Sequence, residues 1–208
     1  MPDDPNTTSE GGRQLARLRR VAAVVAVLNL GYFGIEFTVA VAIGSVALFA
    51  DSVDFLEDAA INLLILVGLG WPARARAVLG GGLGALLLVP GAATLWTAWT
   101  KLGHPVAPAA LPLSLTGLGA FAINLACAVL LLRWRAAGGS LLRAAFLSAR
   151  NDVIADGAIV AAGAVTAATL SPWPDLAVGI AIFAINLDAA RSVWLAAHRE
   201  YRQATPTT

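Results

Sequence analysis

Six acidic residues in two apolar segments are the feature of this chain that most clearly suggests chemistry. The stretch from Ser45 to Gly70 holds four of them within eight residues: Asp51, Asp54, Glu57 and Asp58. The other two, Asp152 and Asp156, stand in a second apolar stretch. An ionised carboxylate at the centre of a membrane-spanning helix costs roughly 2.5–3.5 kcal/mol. Because no Lys or Arg lies in the same part of the first stretch, this pattern predicts a buried anionic pocket that binds a cation.

Helical geometry groups these acids into two polar faces. Successive residues of a helix are rotated by 100°, so Asp51, Asp54 and Asp58 fall on one stripe, whereas Glu57 points away from it. Asp152 and Asp156 share one face of their own helix. If the two helices cross a bilayer in opposite directions, the two sets reach similar depths. Two carboxylate pairs at one level can then form a single metal site with four predicted ligands: Asp54, Asp58, Asp152 and Asp156.

Each acid also has a structural interpretation. A single intramembrane Asp is often a hydrogen-bonding group between helices, with no role in transport. For Asp51, near the outer end of its helix, this interpretation is as good as a functional one. The lone acids Glu36 and Asp188 are open to the same explanation. For two i,i+4 pairs at matching depth, a purely structural role is the minority interpretation.

The composition places the chain among membrane proteins. Hydrophobic residues make up 58% of the sequence and charged residues 13%, with a mean hydropathy of +0.75. A soluble domain carries about 25% charged residues. The net charge of +1, without a basic stripe, gives no sign of a nucleic-acid partner. Without a phosphate-binding loop, a CxxC pair, an HExxH motif or a nucleophile elbow, the sequence predicts neither a prosthetic group nor an enzyme.

Apolar runs long enough to cross a bilayer follow one another between charged or Pro/Gly-rich breaks. The six runs cover residues 21–41, 46–69, 77–99, 110–132, 145–170 and 174–197. The sequence therefore predicts an all-α membrane protein with six transmembrane helices, forming one domain over residues 13–200. The polar segment 1–12 is predicted to be a disordered tail, and 201–208 a short C-terminal tail.

Basic residues indicate how the predicted helices are oriented. Cytoplasmic loops carry an excess of Lys and Arg. All but one of the 14 Lys and Arg residues fall on a single side of the six spans: Arg13, Arg17, Arg19, Arg20, Arg74, Arg76, Arg133, Arg135, Arg143, Arg150, Arg191, Arg199 and Arg202. The opposite side has Lys101 alone. Both termini are therefore expected in the cytoplasm, in a multi-pass protein of the cell membrane.

The chain resembles the cation diffusion facilitator family, most specifically in the second span, GSVALFADSVDFLEDAAINLL. The second helix of that family carries a metal-binding (His/Asp)-x-x-x-Asp, and Asp54 and Asp58 occupy its two positions. The family's fifth helix, with His-x-x-x-Asp, is similar to SARNDVIADGAIVAAG, in which Asp152 matches the Asp. Six spans, cytoplasmic termini and Glu36 in the stretch YFGIEF also fit. The resemblance covers about residues 13–200.

The chain departs from the family pattern at the fifth helix and at its C-terminal end. Ser148 stands at the position of the family's His, and Asp156 is an added carboxylate that could serve as the fourth ligand. Members usually continue into a soluble metal-binding domain, so the resemblance is to a short form without it, and a homodimer stays possible. The candidate accessory residues of the site are Asp51, Ser148 and Asn151.

The resemblance implies efflux of a divalent metal by alternating access, driven by proton entry. The predicted partners are metal ions, protons and membrane lipid. A site built from carboxylates suits manganese, magnesium or calcium. Zinc is the family's usual cargo and also accepts Asp ligands, with manganese or iron as its rival. Crowded carboxylates could exchange protons for metal.

Two other classes of protein fit some of the same residues. An intramembrane aspartyl protease needs one Asp on each of two facing helices, and Asp58 with Asp152 could supply them. The GxGD pattern of such proteases is absent around Asp152. An accessory membrane protein could instead pair its acids with the basic residues of a partner.

Overall fold

The computed structural model describes residues 5–68, 92–134 and 139–186, and these form six helices without a strand among them. Four helices have complete bounds: α1 is Pro5–Ile43, α2 is Val46–Gly68, α4 is Ala110–Leu132 and α5 is Gly139–Thr169. Helix α3 covers residues 92–103, and α6 covers Trp173–Asn186. The all-helical prediction is therefore confirmed for the described part of the chain.

The helix bounds agree with the predicted spans most closely for α2 and α4. Helix α4 occupies the predicted residues 110–132, and α2 ends at Gly68. Helix α1 is described from Pro5 onward, so its first residues belong to the segment 1–12 for which a tail is predicted. The predicted span 77–99 is described only from residue 92, and the predicted connection between the second and third spans lies outside the described residues.

Three described helical segments are long and apolar enough to cross a membrane: Gly12–Ile43, Ala110–Leu132 and Ala145–Thr169. Helix α2 is long enough to cross a membrane, at 23 residues. Its four acids make it more charged than the three segments that qualify as spans by composition. The described part of α6 is a shorter apolar helix. The acids thus stand on a helix of membrane-spanning length that is more polar than its neighbours.

A tight turn joins α1 to α2. Gly44 has a φ of 63°, a conformation that glycine adopts without steric cost. The following residue, Ser45, lies just before α2, and its hydroxyl accepts a hydrogen bond from the backbone N–H of Leu48 at 3.1 Å. This is the usual geometry of a serine N-cap. The turn therefore holds α1 and α2 side by side in opposite directions.

Helix packing produces two apolar clusters with a polar layer between them. Helix α1 packs along α2 and α4 along α5, while α1 also contacts α4 and α2 contacts α5. One cluster includes Val25, Ile65 and Leu131, and the other includes Leu48 and Ile159. Between them along the helices lie the buried polar residues Asn29, Glu36, Asp51, Asp54, Asp58, Asn62, Asn124 and Asp156. The polar groups are thus enclosed by apolar side chains at both ends.

The outward surface of the bundle is apolar, as expected for helices in lipid. Large hydrophobic side chains are exposed along its length, among them Ile35, Leu118, Val129 and Ile154. Tryptophans 96, 99 and 173 are exposed near the end of the bundle where α3 ends and α6 begins. Tryptophan is enriched at membrane–water interfaces.

Candidate metal centre

The acids of α2 and α5 meet in an antiparallel register. Asp51 lies beside Asp156, Asp54 interacts with Asp152, and Asp58 lies beside Ser148. Moving along α2 from residue 51 to 58 therefore moves along α5 from residue 156 to 148. Polar stripes on two helices that run in opposite directions, with apolar residues on either side of each stripe, are compatible with this register.

Asp54 and Asp152 line one cavity of about 380 Å³ between α2, α5 and α6. Two amides, those of Asn151 and Asn186, line the same cavity. The side-chain amide of Asn186 donates a hydrogen bond to Oδ1 of Asp54. The predicted ligand Asp152 and the predicted accessory residue Asn151 thus share a space with one of the two α2 ligands.

Asp58 lies one turn further along α2, next to the position where the related family carries a histidine. Its carboxyl is within hydrogen-bonding reach of the Ser148 hydroxyl and also interacts electrostatically with Asp152. Asp58 is 2% exposed, and its Oδ2 accepts no hydrogen bond from the described residues. The structure therefore brings Asp54, Asp58 and Asp152 into one electrostatic group.

Asp156 belongs to a second group of carboxyls, one turn of α5 away from Asp152. Its Oδ2 accepts a hydrogen bond of 3.0 Å from the Asn124 amide of α4. The Asp156 carboxyl lies within hydrogen-bonding reach of Asp51, and Asp51 in turn lies within reach of Glu36 on α1. Asp156 also interacts with Asp152 through charge. The predicted ligand Asp156 and the accessory candidate Asp51 are thus in direct contact.

Several of these buried oxygens lack a hydrogen-bond donor among the described residues. Both carboxyl oxygens of Glu36 and of Asp51 are in this position, as is Oδ1 of Asp156. All three residues are 0% exposed. A buried carboxylate without a donor is unstable unless a proton or a cation satisfies it, because the apolar interior does not solvate the charge.

The structure does not gather the acids around a single point. Within the described residues, no group of three or more His, Cys, Asp or Glu side chains has an arrangement that could hold a metal ion. The predicted four-carboxylate site therefore appears in this conformation as two neighbouring groups. Of the other acids, Glu57 is only partly buried, and Asp188 lies outside the described residues.

One buried carboxylate that the sequence analysis missed is fully satisfied. Asp175, in the first turn of α6, accepts hydrogen bonds from Lys101 Nζ at 2.6 Å and from the Ser45 hydroxyl at 2.5 Å. It also accepts the backbone N–H groups of Val46 at 3.0 Å and Ala47 at 3.2 Å. Asp175 therefore caps the N-terminus of α2 and pairs with a buried lysine. The one available signal was Lys101 itself, a lone cation in an apolar region.

A bundle of apolar helices that encloses acids defines an integral membrane protein with a polar interior. The family model of the cation efflux transmembrane domain matches residues 22–196, which is most of the chain. The chain belongs to the cation efflux family. A comparison with curated proteins found no match.

Membership of this family establishes the general activity. Members are transporters of metal cations and not enzymes, so the chain is a membrane transporter for cations. The interpretation of Asp58 and Asp152 as an aspartyl protease pair is thereby excluded. The interpretation as an accessory protein without transport activity is set aside for the same reason.

Proposed function

We propose that the protein exports a divalent metal ion in exchange for protons, using the carboxylates between α2 and α5. The observation that carries this proposal is the meeting of Asp54 and Asp152, from two different helices, at one cavity within an apolar bundle. Two carboxylates balance the charge of one divalent ion. Helices that each bring one ligand can also release the ion when they move apart, as alternating access requires.

The ligands in this proposal are Asp54, Asp58 and Asp152, with Asp156 as the fourth carboxylate. Asp58 contributes through its interaction with Asp152, and Asp156 lies one turn from Asp152 and interacts with it. Ser148 is a weak ligand beside Asp58, which leaves the site without nitrogen donors. Oxygen ligands suit manganese, and zinc accepts Asp ligands as well.

Proton coupling is supported by the contact of Asp51 with Glu36 and Asp156. Carboxyl groups in contact cannot all be ionised in an apolar interior, so they share protons when no cation is near. A metal ion arriving among the neighbouring carboxylates would favour release of these protons. In this proposal Asp51 relays protons toward the outer face, in a protein with six spans and both termini in the cytoplasm.

Thermal unfolding of the purified full-length protein with a panel of divalent ions tests the binding step. A ligand at 100 times its dissociation constant stabilises the folded state by about 2.7 kcal/mol. Zinc, manganese or iron(II) should raise the unfolding temperature of the wild type, and Asp58→Ala should abolish that rise. Glu57→Ala is the matched control, because it removes the adjacent acid from the other face of α2. Wild-type stabilisation of Asp58→Ala by metal would refute the ligand assignment.

Transport by proteoliposomes tests the coupling. Metal uptake should follow an imposed pH gradient and stop when a protonophore collapses it. Uptake that is indifferent to the gradient would show that the carboxyl contacts serve another purpose than proton exchange.

A further inference from the structure

The cavity between α2, α5 and α6 has a polar wall made of two kinds of side chain. Two are carboxylates, Asp54 and Asp152, and two are amides, Asn151 and Asn186. The other described residues that line it are apolar: Ile154, Ala155, Ala158, Val178, Ala181, Ile182 and Ile185. The Asn151 side chain is exposed and its oxygen accepts a hydrogen bond of 3.2 Å from Arg150, so Asn186 is the described amide whose oxygen is available to a cation in this cavity.

Two carboxylates do not complete the coordination of an oxygen-preferring ion. Magnesium demands six ligands in octahedral geometry, and calcium takes six to eight oxygens. Asp58 and Asp156 raise the number of proposed carboxylate ligands to four, which still leaves an octahedral ion two ligands short. The missing ligands must then be neutral oxygens, from amides or from water. The Asn186 side chain, which already contacts Asp54, is the protein group best placed to supply one.

Asn186 connects α6 to the site through its contact with Asp54. The amide N–H donates to Oδ1 of Asp54, which is 9% exposed. A cation bound to that carboxylate would repel the N–H group and attract the amide oxygen. The terminal torsion of asparagine is broad and roughly two-fold, so the amide can turn its oxygen toward the ion at little cost.

We propose that Asn186 is a cargo ligand contributed by α6, and that its amide oxygen favours oxygen-preferring divalent ions such as Mn²⁺ over Zn²⁺. The inference rests on the proposed transport of divalent metal through this cavity. Asn186 donates to Asp54 when the site is empty and coordinates through its oxygen when the site is filled. An aspartate at this position could coordinate the metal ion but could not donate a hydrogen bond to Asp54, and a leucine could do neither.

The selectivity follows from coordination number. Zinc is bound by four ligands in most protein sites, so the four proposed carboxylates are enough to satisfy it. Manganese prefers carboxylate, carbonyl and water oxygens, in octahedral geometry. Loss of an amide oxygen should therefore weaken Mn²⁺ binding more than Zn²⁺ binding.

The test is calorimetric titration of purified full-length variants with Mn²⁺ and with Zn²⁺. Asn186→Leu should lower the Mn²⁺ affinity by about tenfold or more, the scale of losses known for groups that support metal sites. It should change the Zn²⁺ affinity less. Asn186→Asp should keep Mn²⁺ binding, because an oxygen remains. Ile180→Val is the matched control: Ile180 is an exposed residue of the same helix that does not line this cavity, and the ratio of the two affinities should stay at the wild-type value.

Each contrary result has a distinct meaning. Equal losses for both ions in Asn186→Leu would show that Asn186 only positions Asp54, which overturns the proposal. Loss of Mn²⁺ binding in Asn186→Asp would overturn it as well, and this variant serves if Asn186→Leu does not fold. Binding of divalent ions by the wild type, with no effect of either substitution, would refute the role of Asn186 and leave the proposed transport intact. A wild type that binds no divalent ion would refute both.

Discussion

Asp175 and Asp51 are both buried carboxylates with 0% exposure, yet their surroundings are opposite. Asp175 accepts hydrogen bonds from a lysine, a serine and two backbone N–H groups. Asp51 faces two further carboxyls, those of Glu36 and Asp156, and neither of its oxygens accepts a hydrogen bond from the described residues. One residue type thus occupies two kinds of site within one bundle.

The difference distinguishes a structural acid from one that is available for exchange. Four donors fix the charge of Asp175 in place, so a cation from solution has nothing to gain there. The carboxyl oxygens of Asp51 accept no hydrogen bond from the described residues, so they can bind a proton or a metal ion. Burial alone therefore does not identify a functional carboxylate in this protein, whereas the number of donors around it does.

The largest expected loss of stability comes from removing Asp175, the acid with four hydrogen-bond donors. Asp175→Ala would leave Lys101 buried without its partner and the first turn of α2 uncapped. Breaking a buried pair in this way costs about 3–5 kcal/mol. The unfolding temperature of the purified variant should fall steeply, even without metal. A variant as stable as the wild type would mean that the contacts of Asp175 contribute little.

Substitution of Asp51, the acid without hydrogen-bond donors, is expected to increase the free energy of unfolding instead of lowering it. In Asp51→Asn the new amide can donate to Glu36 and Asp156, so the metal-free protein should become more stable by about 1–3 kcal/mol. The same substitution at the other acid, Asp175→Asn, should destabilise, because an N–H group would face donors. Thermal unfolding of both variants tests this prediction. A change of the unfolding temperature in the same direction for both variants would contradict it.

The same Asp51→Asn variant also tests the proton relay. It should change the pH dependence of metal uptake by vesicles more than it changes metal affinity at neutral pH, because the variant retains Asp54, Asp58 and Asp152. Stopped-flow uptake over a pH series separates the two effects. An unchanged pH profile would assign Asp51 a structural or vestibular role.

A smaller effect distinguishes Asp156 and Ser148, the two candidates for the fourth ligand. Asp156→Asn should weaken metal binding at least as much as Ser148→Ala, by about tenfold, if Asp156 is the fourth carboxylate. Calorimetry on both variants gives the order. A larger loss in Ser148→Ala would place the site at the Asp58 end, away from the Asp51 group.

The smallest expected change is one of selectivity. Ser148 lies beside Asp58, so Ser148→His would bring an imidazole to the site. Because imidazole suits zinc better than manganese, the variant should favour zinc several-fold more than the wild type does. Competition between the two ions in proteoliposomes measures the shift. No shift would indicate that residue 148 does not face the bound metal.

Much of this arrangement could be predicted from local sequence patterns. The bounds of α4 and the polar stripe of α2 follow from runs of apolar residues and from helical spacing. The pairing of α2 with α5 follows from acids on both helices. The exact register could not be predicted, because a shift of one helical turn preserves every pattern and changes only which acids meet, as with Asp51 and Asp156.

Contacts between distant residues left no local signal. Asp175 and Asn186 are single polar residues in apolar surroundings, and each can be read as an ordinary helix residue. Their partners Lys101, Ser45 and Asp54 lie 74 to 132 residues away along the chain. Identifying them requires knowing which helix ends come together, which depends on packing rather than on periodicity.

The cap that Asp175 places on α2 has a consequence for biosynthesis. The chain is made from its N-terminus, so α2 and Lys101 are synthesised well before residue 175. Until α6 arrives, Lys101 and the first N–H groups of α2 must find other partners or remain in contact with water. Helix α2 can therefore adopt its final position only after α6 has been inserted. We expect the bundle to be completed late in synthesis of the chain.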